Sequence, residues 1–355
     1  MLRIHDTRTG QVEALRPARA MRMHTCGPDV HRVARLGDLR SQLTADLVRR
    51  VLERQRVRMV VCRDVSDLGA EGGAPAAFER DAALLNLRPP EHSPRASESV
   101  PLVIELIAEL IGKGLAHTAP DGSVFFDAAA AGEPQSGDAD WALWQPTQGE
   151  PAWDSPWGPG VPGPHAGCAA MSLRFLGEHV DLRTGGFEQG VPHFEAVRAL
   201  SDAVAGHQVV RHWVRSERLL FEGRQDAPEL REVAEAGLDP LAVRLAFLEH
   251  HYRRPLDLSW EALRAADKAL RGWRGRVAEW AELPSAPMSA GQVERAEAAF
   301  DDDLDLPSAI MILRELEGDE AVPPGSKLES FLHLDQVLGL DLSVEIGRAP
   351  VRGRI

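Results

Sequence analysis

The sequence predicts an α/β fold, in which a Rossmann-like, doubly wound parallel sheet with an insertion precedes a C-terminal helical domain. Two observations support this class. The chain begins with a strand, a turn, a helix and a strand in that order, which is the βαβ unit from which such sheets are built. Beyond about residue 226, apolar residues recur at helical spacing in one segment after another. We expect the core at residues 1–225, its insertion at about 97–150, and the helical domain at 226–355.

The first predicted βαβ unit lies between residues 21 and 62. Its first strand, Met21–Thr25, is short and ends at a Cys-Gly-Pro sequence that interrupts regular structure. Asp38–Arg54 carries leucines and valines three and four residues apart, as an amphipathic helix does, and Asp38 stands where an N-cap belongs. Val57–Cys62 is a continuous apolar run with the length of a buried parallel strand.

The region of the insertion mixes one helix with short strands. Apolar residues on one side of Glu98–Lys113 predict a helix. Ala116–Thr118 and Val124–Asp127 flank a Pro-Asp-Gly turn and predict a hairpin. Ala128–Asp140 is rich in alanine, glycine and polar residues, and Pro156–Gly167 is rich in glycine and proline, so both segments predict irregular structure.

The last third of the chain predicts helices. The longest carries one apolar stripe, formed by Trp260, Leu263, Ala266, Leu270, Trp273, Val277 and Trp280. Three more helices are predicted at Gln292–Phe300, Pro307–Glu317 and Leu328–Leu338. The acidic run 301–305 is similar to a calcium loop but lacks its glycine and terminal glutamate, so it predicts a solvated turn.

The composition argues against several classes of protein. The 355 residues include 40 Lys plus Arg and 54 Asp plus Glu, which gives a formal net charge of −14. Such a charge disfavours non-specific binding to nucleic acids or membrane surfaces. Three cysteines are too few for a disulfide framework, and no signal peptide or membrane span is evident. We therefore expect a soluble, cytoplasmic protein without a membrane partner.

Cys26, Cys168 and His193 are the first candidates for chemistry. Cys26 follows a predicted strand, Cys168 follows the Gly/Pro segment, and His193 precedes a predicted helix; α/β folds place ligands at such boundaries. Two thiolates and an imidazole suit zinc, and three ligands leave one position open for a substrate. Because the sequence has no CxxC pair, the spacing leaves a second interpretation open, in which these are ordinary buried side chains.

A second candidate is the sequence Arg35-Leu36-Gly37-Asp38, directly before the first long helix. A helix that starts after a glycine turn offers free N–H groups and the positive end of its dipole to a phosphate. Asp38, however, can cap those N–H groups and repels an incoming phosphate by its own charge. These residues alone favour a well-capped helix that binds no anion.

Seven blocks of the chain are distinctive: LRIHDTRTGQVEAL, MHTCGPDVH, RDVSDL, GEPAWDSPWGPGVPGPHAGCAAM, EHVDLRTGGFEQGVPHFE, DPLAVRLAFLEHHYRRPLDLSWEAL and DDDLDLPSA. With them the chain resembles, nearly end to end, the class I cysteinyl-tRNA synthetases and their shorter relatives, the cysteine ligases of mycothiol biosynthesis. The resemblance implies a class I synthetase catalytic core, ATP-dependent ligation of cysteine, and a zinc ion that binds the thiolate of the substrate.

The resemblance places the zinc ligands at Cys26, Cys168 and His193. The tRNA synthetases have a further glutamate where this chain has Val197, and the mycothiol-type ligases also lack it, so a three-ligand site is implied. Zinc prefers a deprotonated sulfur to a neutral hydroxyl and would thereby distinguish cysteine from serine.

For the amino-acid pocket, the resemblance implies Gly27, Ser66, His165 and Glu188 as substrate-binding residues. Ser66 keeps the hydroxyl of the family's threonine, and Glu188 keeps the acidic group of the family's aspartate with one more methylene. Pro164 and His165 replace a Trp-His pair, so one aromatic wall of the pocket is lost.

The two ATP signatures of the family are degenerate. The HIGH motif corresponds to Arg35-Leu36-Gly37-Asp38, in which both histidines are gone, and only Arg35, Gly37 and Asp38 mark its former positions. The KMSKS loop is absent after Gly223, where the chain continues Arg224-Gln225-Asp226-Ala227-Pro228. Both motifs stabilise charge in the transition state. We therefore expect ordinary ATP-driven activation of an amino acid to be lost, and we assign no catalytic residue.

Three functions remain in view. The first is a pseudoenzyme or accessory module that holds zinc and cysteine, or a related small thiol, and serves a protein partner. The second is an active ATP-dependent cysteine ligase in which Arg35, Arg40 and Arg224 supply the missing positive charge. The third is an interaction scaffold whose metal site is vestigial. The chain stops where the tRNA synthetases continue into an anticodon-binding domain, so tRNA is not expected as a partner.

Overall fold

The computed structural model describes residues 1–16, 18–27, 32–69, 74–132, 141–187 and 192–348. The strands are β1 (Arg3–Asp6), β2 (Gln11–Ala14), β3 (Ala20–Thr25), β4 (Arg58–Arg63), β5 (Ala116–Thr118), β6 (Val124–Phe126), β7 (Trp141–Pro146), β8 (Gly160–Pro162), β9 (Val180–Gly185), β10 (Val210–Arg215), β11 (Leu219–Phe221) and β12 (Leu256–Leu258). The helices are α1 (Leu36–Arg54), α2 (Ala74–Leu84), α3 (Val100–Gly112), α4 (Ala166–Leu176), α5 (His193–Ala205), α6 (Leu230–Glu235), α7 (Pro240–Leu248), α8 (Trp260–Ala281), α9 (Ala290–Asp301), α10 (Leu306–Gly318) and α11 (Pro324–Leu338). No described helix combines the length and apolar character needed to cross a membrane.

The centre of the first part is a four-stranded parallel sheet in the order β10–β9–β3–β4. The chain passes from β3 through α1 to β4 on one side, and it later enters β9 on the other side of β3. The direction of winding therefore reverses between β3 and β9. In doubly wound folds, the carboxyl ends of the strands at such a switch point form the ligand-binding crevice. The predicted fold class, with its parallel sheet and its later helices, is confirmed.

Helix α1 packs against β4 and β9 and buries its predicted apolar face. It begins earlier than predicted: Arg35 is its N-cap and Asp38 is its third residue, so the N-cap role assigned to Asp38 is wrong. The carboxylate of Asp38 instead reaches back and accepts a hydrogen bond of 2.7 Å from the backbone N–H of Arg35. This is the acidic half of a capping box, which stabilises a helix start as an N-cap does.

The predicted hairpin is formed by β5 and β6, and β7 and β8 extend it into a four-stranded antiparallel sheet. Pro156–Gly167, predicted to be irregular, provides the edge strand β8 and the first residues of α4. An edge strand tolerates proline because its outer N–H groups need no partner in the sheet. A Cβ atom at Gly163 would lie 1.8 Å from the carbonyl oxygen of Ala142, so only glycine allows this approach to β7. Of the second segment predicted to be irregular, residues 128–132 are described and lie mostly in turns, and 133–140 lie outside the described residues.

The helices predicted in the last third correspond to α8, α9, α10 and α11, with boundaries within a few residues. The tryptophan stripe lies on the buried side of α8, as its spacing predicts. The rings of Trp273 and Trp280 meet the ring of Phe331 in α11 edge-on, with centroids 5.9 and 5.2 Å apart. These aromatic residues therefore serve packing between helices.

The acidic segment after α9 is not the solvated turn that the sequence predicts. Asp303 is buried and accepts hydrogen bonds from the backbone N–H of His5 at 2.9 Å and from the hydroxyl of Tyr252 at 2.6 Å. The amino group of Met1 pairs with Asp301 at 2.9 Å. The segment thus fixes the N-terminal hairpin β1–β2 to the helical part of the chain, and these contacts explain why its carboxylates are grouped.

A buried ionic network joins α1 to the helices that follow the sheet. The carboxylate of Asp46 accepts hydrogen bonds of 2.7 Å from both Arg50 and Arg244, and both arginines are buried. Arg244 also donates to the carbonyl groups of Leu85 and Leu338. The two guanidinium groups and the backbone N–H of Arg88 hold the pKa of Asp46 below its ordinary value, although burial acts in the opposite direction.

Candidate functional site

Cys26 and Cys168 meet at the switch point of the parallel sheet. Cys26 directly follows β3, and Cys168 lies in the first turn of α4, at the carboxyl end of the same strands. Their sulfur atoms are 3.8 Å apart and both side chains are buried. All three cysteines of the chain carry free thiols, so this pair is open to hydrogen bonds or to a metal.

His193 is the first residue of α5, and its Nε2 atom lies 3.6 Å from the sulfur of Cys26. The other ring nitrogen, Nδ1, is 2.9 Å from Nδ1 of His165. Burial, together with the charge of His193, lowers the pKa of His165 to about 4, so at neutral pH this ring is uncharged and can accept the proton of His193. A neutral His193 that donates its Nδ1–H to His165 has its lone pair on Nε2, which is the arrangement that a metal ligand needs.

Asp64, which directly follows β4, is the acidic group of the site. One of its carboxylate oxygens accepts a hydrogen bond of 2.8 Å from the thiol of Cys168, and the other accepts one of 2.7 Å from the backbone N–H of Gly27. A Cβ atom at Gly27 would lie 1.6 Å from the carbonyl oxygen of Asp64. No side chain fits there, so glycine is required for the turn after Cys26 to approach β4.

Arg183 in β9 is the cationic group of the site and is completely buried. Its Nη2 atom donates to the sulfurs of Cys26 and Cys168 at 3.1 and 3.0 Å. The guanidinium lies over the ring of Trp213 with its carbon 5.5 Å from the ring centroid. Its Nε and Nη1 atoms have no hydrogen-bond partner among the described residues. A buried cation needs nearby negative charge, and among the described residues the two sulfurs and Asp64 supply it.

The two thiols differ in acidity. A hydrogen bond from Cys168 and the charge of Arg183 hold the pKa of Cys26 well below its ordinary value, against the effect of burial. The same hydrogen bond and burial raise the pKa of Cys168 well above its ordinary value. In the metal-free protein, Cys26 is therefore the more acidic thiol of the pair, and the single S–H proton of Cys168 is donated either to Cys26 or to Asp64.

His24 is a further nitrogen at the site. It is fully buried in β3, two residues before Cys26. Within the described part of the chain neither of its ring nitrogens has a hydrogen-bond partner, and Nε2 lies 3.9 Å from a carboxylate oxygen of Asp64. Ligand atoms of His24, Cys26 and Cys168 all lie within 4.8 Å of one another. His193 contacts Cys26 but is not part of that group, so the described side chains place His24 where the sequence had not placed a ligand.

These residues fit a zinc ion. Two sulfurs that each lie about 2.3 Å from zinc in tetrahedral geometry are about 3.8 Å apart, which is the separation observed here. Orphaned nitrogens are costly in a buried site, and a metal would satisfy one of the two ring nitrogens of His24. The donor set of two sulfurs and one or two imidazole nitrogens is one that zinc prefers.

The remaining residues assigned to the amino-acid pocket are only partly placed. Ser66 is half-buried two residues after Asp64, and no hydrogen bond links it to either sulfur. Glu188 lies outside the described residues. Val197 is buried one helical turn after His193 on the same face of α5, where its side chain offers no fourth ligand.

At the start of α1, the positions of the degenerate HIGH motif are occupied by internal contacts. Beside its bond to the Arg35 N–H, the Asp38 carboxylate pairs with the guanidinium of Arg32 at 2.8 Å. A Cβ atom at Gly37 would have room, with its nearest neighbour, the Cβ of Leu219, at 4.0 Å, so no close backbone approach is required there. The Asp38 carboxylate is thus already bound to a backbone N–H and a guanidinium, which are the kinds of group that a phosphate at this helix start would need.

The segment after β11 lies across this helix start. The guanidinium of Arg35 donates to the carbonyl of Ala227 at 2.8 Å and pairs with Asp226 at 2.6 Å. The backbone N–H of Leu36 donates to the carbonyl of Pro228 at 3.0 Å. The residues that replace the KMSKS loop thus take up donors at the N-terminus of α1.

The other two arginines considered as substitutes differ in their surroundings. Arg40 is buried and donates to the carbonyl oxygens of Glu217, Arg218, His251 and Arg254. Such a set of contacts makes it a structural link. Arg224 is exposed and its nearest ion-pair partner, Glu222, is 4.0 Å away.

Three residues of the site were missed by sequence reasoning: His24, Asp64 and Arg183. Residues two apart on a strand share a face, so the spacing of His24 and Cys26 is a signal that could have been used. Asp64 and Arg183 gave only a weak signal, because β4 and β9 carry other charged residues, Arg63 and Asp181 among them.

Comparison with known proteins bears on both the fold and the family. The family model described as tRNA synthetases class I (C) catalytic domain matches residues 73–137 and 130–268. A cysteine--tRNA ligase of Alkalilimnicola ehrlichii is 33% identical over 96% of this chain and 86% of the relative. One of Opitutus terrae is 34% identical over 87% of this chain and 80% of the relative.

Solved structures with low sequence identity share the fold. A methionyl-tRNA synthetase of Mycobacterium tuberculosis, in complex with methionyl-adenylate, matches 90% of this chain and 92% of its own with a TM-score of 0.68 at 13% identity. The arginyl-tRNA synthetase of Thermus thermophilus matches 94% of this chain and 83% of its own, with a TM-score of 0.53 at 16% identity. The family model and the cysteine--tRNA ligase relatives show that the chain belongs to the class I cysteinyl-tRNA synthetase family.

Proposed function

We propose that this chain is a cysteinyl-tRNA synthetase-like protein that binds zinc and cysteine, or a related small thiol, and does not activate it with ATP. The observation that carries the proposal is a contrast between two sites. Two sulfurs lie at the separation that zinc requires, beside the orphaned nitrogens of His24. At the start of α1, by contrast, Asp38 is bound to the backbone N–H of Arg35, and the guanidinium of Arg35 is bound to Ala227 and Asp226.

The charges around the two sulfurs support a divalent metal. Arg183 and zinc together carry three positive charges, and the carboxylate of Asp64 and the two thiolates carry three negative ones. A buried site is stable when its charges balance in this way. Cys26, Cys168 and His193 would hold the ion, with His24 as a fourth donor or as the group displaced by a substrate.

Zinc, when bound, would bind a substrate sulfur as its thiolate and discriminate against a hydroxyl. The protein's own residues prepare the site for this. His165 fixes the tautomer of His193, Asp64 holds Gly27 and Cys168, and Arg183 offsets the charge of the thiolates. This selectivity depends on bonding rather than on pocket size, so serine needs no separate editing site.

A specific observation also favours a second candidate, an active ATP-dependent cysteine ligase. Arg32 and Arg35 both lie at the start of α1, and exchange of their carboxylate partners for phosphate would leave two cations at that helix end. Against this, Asp38 would have to leave the backbone N–H of Arg35, and its charge would remain next to the phosphate.

Calorimetry and an exchange assay distinguish these functions. Zinc-loaded protein is titrated with cysteine, then with serine, and cysteine-dependent exchange of pyrophosphate into ATP is measured on the same preparation. We expect cysteine to bind at least 100-fold more tightly than serine, with no exchange above background. Exchange that depends on cysteine would establish the active ligase. Absence of any binding of cysteine would favour a scaffold with a vestigial site.

We also propose that the chain does not bind tRNA on its own. Most of the affinity of proteins for nucleic acids comes from neutralised phosphates, and the net charge of −14 opposes it. A gel-shift titration with bulk tRNA at 50 mM salt tests this proposal. Saturable binding at micromolar protein would contradict it.

A further inference from the structure

A second cluster of possible metal ligands lies where the N-terminal hairpin meets the edge of the parallel sheet. It consists of Asp6 at the end of β1, Glu13 in β2 and His212 in β10. The Nδ1 atom of His212 is 3.7 Å from a carboxylate oxygen of Asp6 and 3.8 Å from one of Glu13. Ligand atoms of all three residues lie within 4.8 Å of one another.

This cluster is separate from the thiol site. The next residue of β10, Trp213, lies under the guanidinium of Arg183 and so faces the two cysteines. Successive side chains of a strand point to opposite faces. His212 therefore points to the other face of the sheet, toward the hairpin.

Among the residues that the structure describes, none forms a hydrogen bond with the nitrogen of His212 that faces the carboxylates. The side chain is nine-tenths buried, and Nδ1 itself is inaccessible to solvent. Buried polar atoms in folded proteins nearly always have a partner, so an orphaned ring nitrogen directed at two carboxylates calls for a group between them.

The two carboxylates also have one oxygen each to spare. The Oδ1 atom of Asp6 accepts from the backbone N–H groups of Arg8 and Trp213, and Oε1 of Glu13 accepts from the hydroxyl of Thr9. The other oxygen of each faces His212, and within the described part of the chain neither carboxylate has a Lys or Arg partner within 4.0 Å. Two acidic groups so placed concentrate negative charge that only a cation offsets.

We propose that Asp6, Glu13 and His212 bind one divalent cation of the Mn²⁺ type. Carboxylate oxygens with a single imidazole form a donor set that suits Mn²⁺ better than thiolates do. Two atoms that each lie about 2.1 Å from one ion can be at most about 4.2 Å apart, and both distances from Nδ1 are within this limit. Glu13 is half-buried and its longer side chain can close any remaining gap.

Such an ion would connect the hairpin to the sheet. At present the backbone N–H of Thr7 donates to the carbonyl of Trp213 at 2.7 Å and holds β1 beside β10. A cation shared by β1, β2 and β10 would fix both strands of the hairpin to that edge. Binding would therefore stabilise the folded protein in proportion to the occupancy of the site.

Titration with Mn²⁺, followed by the electron paramagnetic resonance signal of the free ion, tests the proposal on the full chain. Wild type should remove one Mn²⁺ per chain from solution and show a higher Tm with Mn²⁺ than with a chelator. Glu13→Gln should weaken binding at least tenfold and abolish the shift in Tm. Asp6→Asn should have the same effect, because it removes one of the charged ligands. Its fold should be preserved, since the amide oxygen can still accept the hydrogen bonds from Arg8 and Trp213.

Glu178→Gln is the matched control, because Glu178 lies outside the cluster and forms an exposed pair with His207 at 3.5 Å. This variant should bind Mn²⁺ as wild type does. Glu13 is partly exposed at the surface of a hairpin, so its substitution is expected to fold. Failure of wild type to bind Mn²⁺ at millimolar concentration would overturn the proposal. Equal binding by wild type and Glu13→Gln would also overturn it.

Discussion

The sulfur atoms of Cys26 and Cys168 lie 3.8 Å apart, although 142 positions separate the two residues in the sequence. Cys26 directly follows β3, and Cys168 lies in α4, the helix that precedes β9. The parallel strand order β9–β3–β4 brings the two residues together. Their separation matches one edge of a zinc tetrahedron, and it also permits a direct thiol–thiolate hydrogen bond. Metal content decides which of the two states the purified protein adopts.

Substitution of one of these sulfurs should abolish zinc binding. We expect wild type purified without added zinc to contain close to one zinc per chain, and Cys168→Ala less than about 0.2, because structural zinc sites depend on every thiolate. Cys62→Ala is the control, since Cys62 is an equally buried cysteine outside the pair. Elemental analysis by mass spectrometry gives the ratio, and full zinc content in Cys168→Ala would contradict a site built on this sulfur.

Loss of Arg183 should make Cys26 less acidic. In protein freed of metal by a chelator, Arg183→Gln removes the cation that lowers the pKa of Cys26, so less thiolate is present at neutral pH. An opposite charge within hydrogen-bond distance shifts a pKa by about 1 to 3 units. The pH midpoint of alkylation of Cys26, followed by mass spectrometry of its peptide, should therefore rise by about one unit or more.

Arg58→Gln provides the control for that measurement, because Arg58 is exposed at the beginning of β4. It should leave the midpoint of Cys26 unchanged. An unchanged midpoint in Arg183→Gln would show that Cys168, rather than the guanidinium, determines the acidity of Cys26.

The parallel sheet and most helices could be predicted because they rest on local patterns. The apolar run in β4 predicts a buried strand, and the apolar stripe of α8 predicts a helix, each from the residues of one segment alone. The charged members of the site could not be predicted in this way. Arg183 is favourable in a buried strand only because two sulfurs and a carboxylate lie beside it, and those partners come from β3, β4 and α4. Such relationships depend on the order of strands, which periodicity does not contain.

The start of α1 illustrates a different limit. Asp38 has the residue type of an N-cap, but Arg35 takes that position, because the chain arrives there paired with the segment around Glu229. A carboxylate can serve at either position, so residue type alone did not fix the boundary. The prediction for the glycine- and proline-rich segment was wrong for a similar reason. Residues 160–162 form an edge strand only because β7 is there to pair with them.

Removal of the carboxylate at the start of α1 should cost stability without restoring ATP chemistry. Asp38→Ala loses the bond to the N–H of Arg35 and the pair with Arg32, and we expect a decrease of about 1 kcal/mol in the free energy of unfolding. Urea denaturation measures this, with Asp154→Ala at an exposed position as the control. We expect no pyrophosphate exchange in either variant, and its appearance in Asp38→Ala would show that this carboxylate alone blocks a competent site.

Asp46 should be far more important for stability than any exposed aspartate. Asp46→Asn leaves the buried guanidinium groups of Arg50 and Arg244 without their shared negative partner. Breaking a buried ionic network by removing one member costs about 3 to 5 kcal/mol. Urea denaturation should show a loss of this size, against less than about 0.5 kcal/mol for Asp154→Asn. A small loss would mean that the backbone carbonyls around Arg244 suffice to hold it.

Asp81 in α2 should make the protein less stable as the pH rises. Burial raises the pKa of its carboxyl to about 6, and the charge of Glu229 adds to this against that of Arg80. Because the folded state then holds the proton more tightly than the unfolded state, protonation of Asp81 stabilises the fold, and this contribution is complete only below about pH 4. It is lost as the pH rises from there to about 6, and it does not change further above that pH. Asp81→Asn removes this penalty and should be more stable than wild type by about 1 to 2 kcal/mol at pH 7.5, with a smaller difference at pH 5.

Denaturant unfolding at both pH values measures the difference between Asp81→Asn and wild type directly. Glu105→Gln, which changes an exposed carboxylate of α3, is the control and should differ from wild type equally at the two pH values. A difference for Asp81→Asn that is the same at pH 5 and pH 7.5 would exclude titration of this carboxyl in the folded state. Its effect would then reflect hydrogen bonding or packing of the amide, neither of which depends on pH in this range.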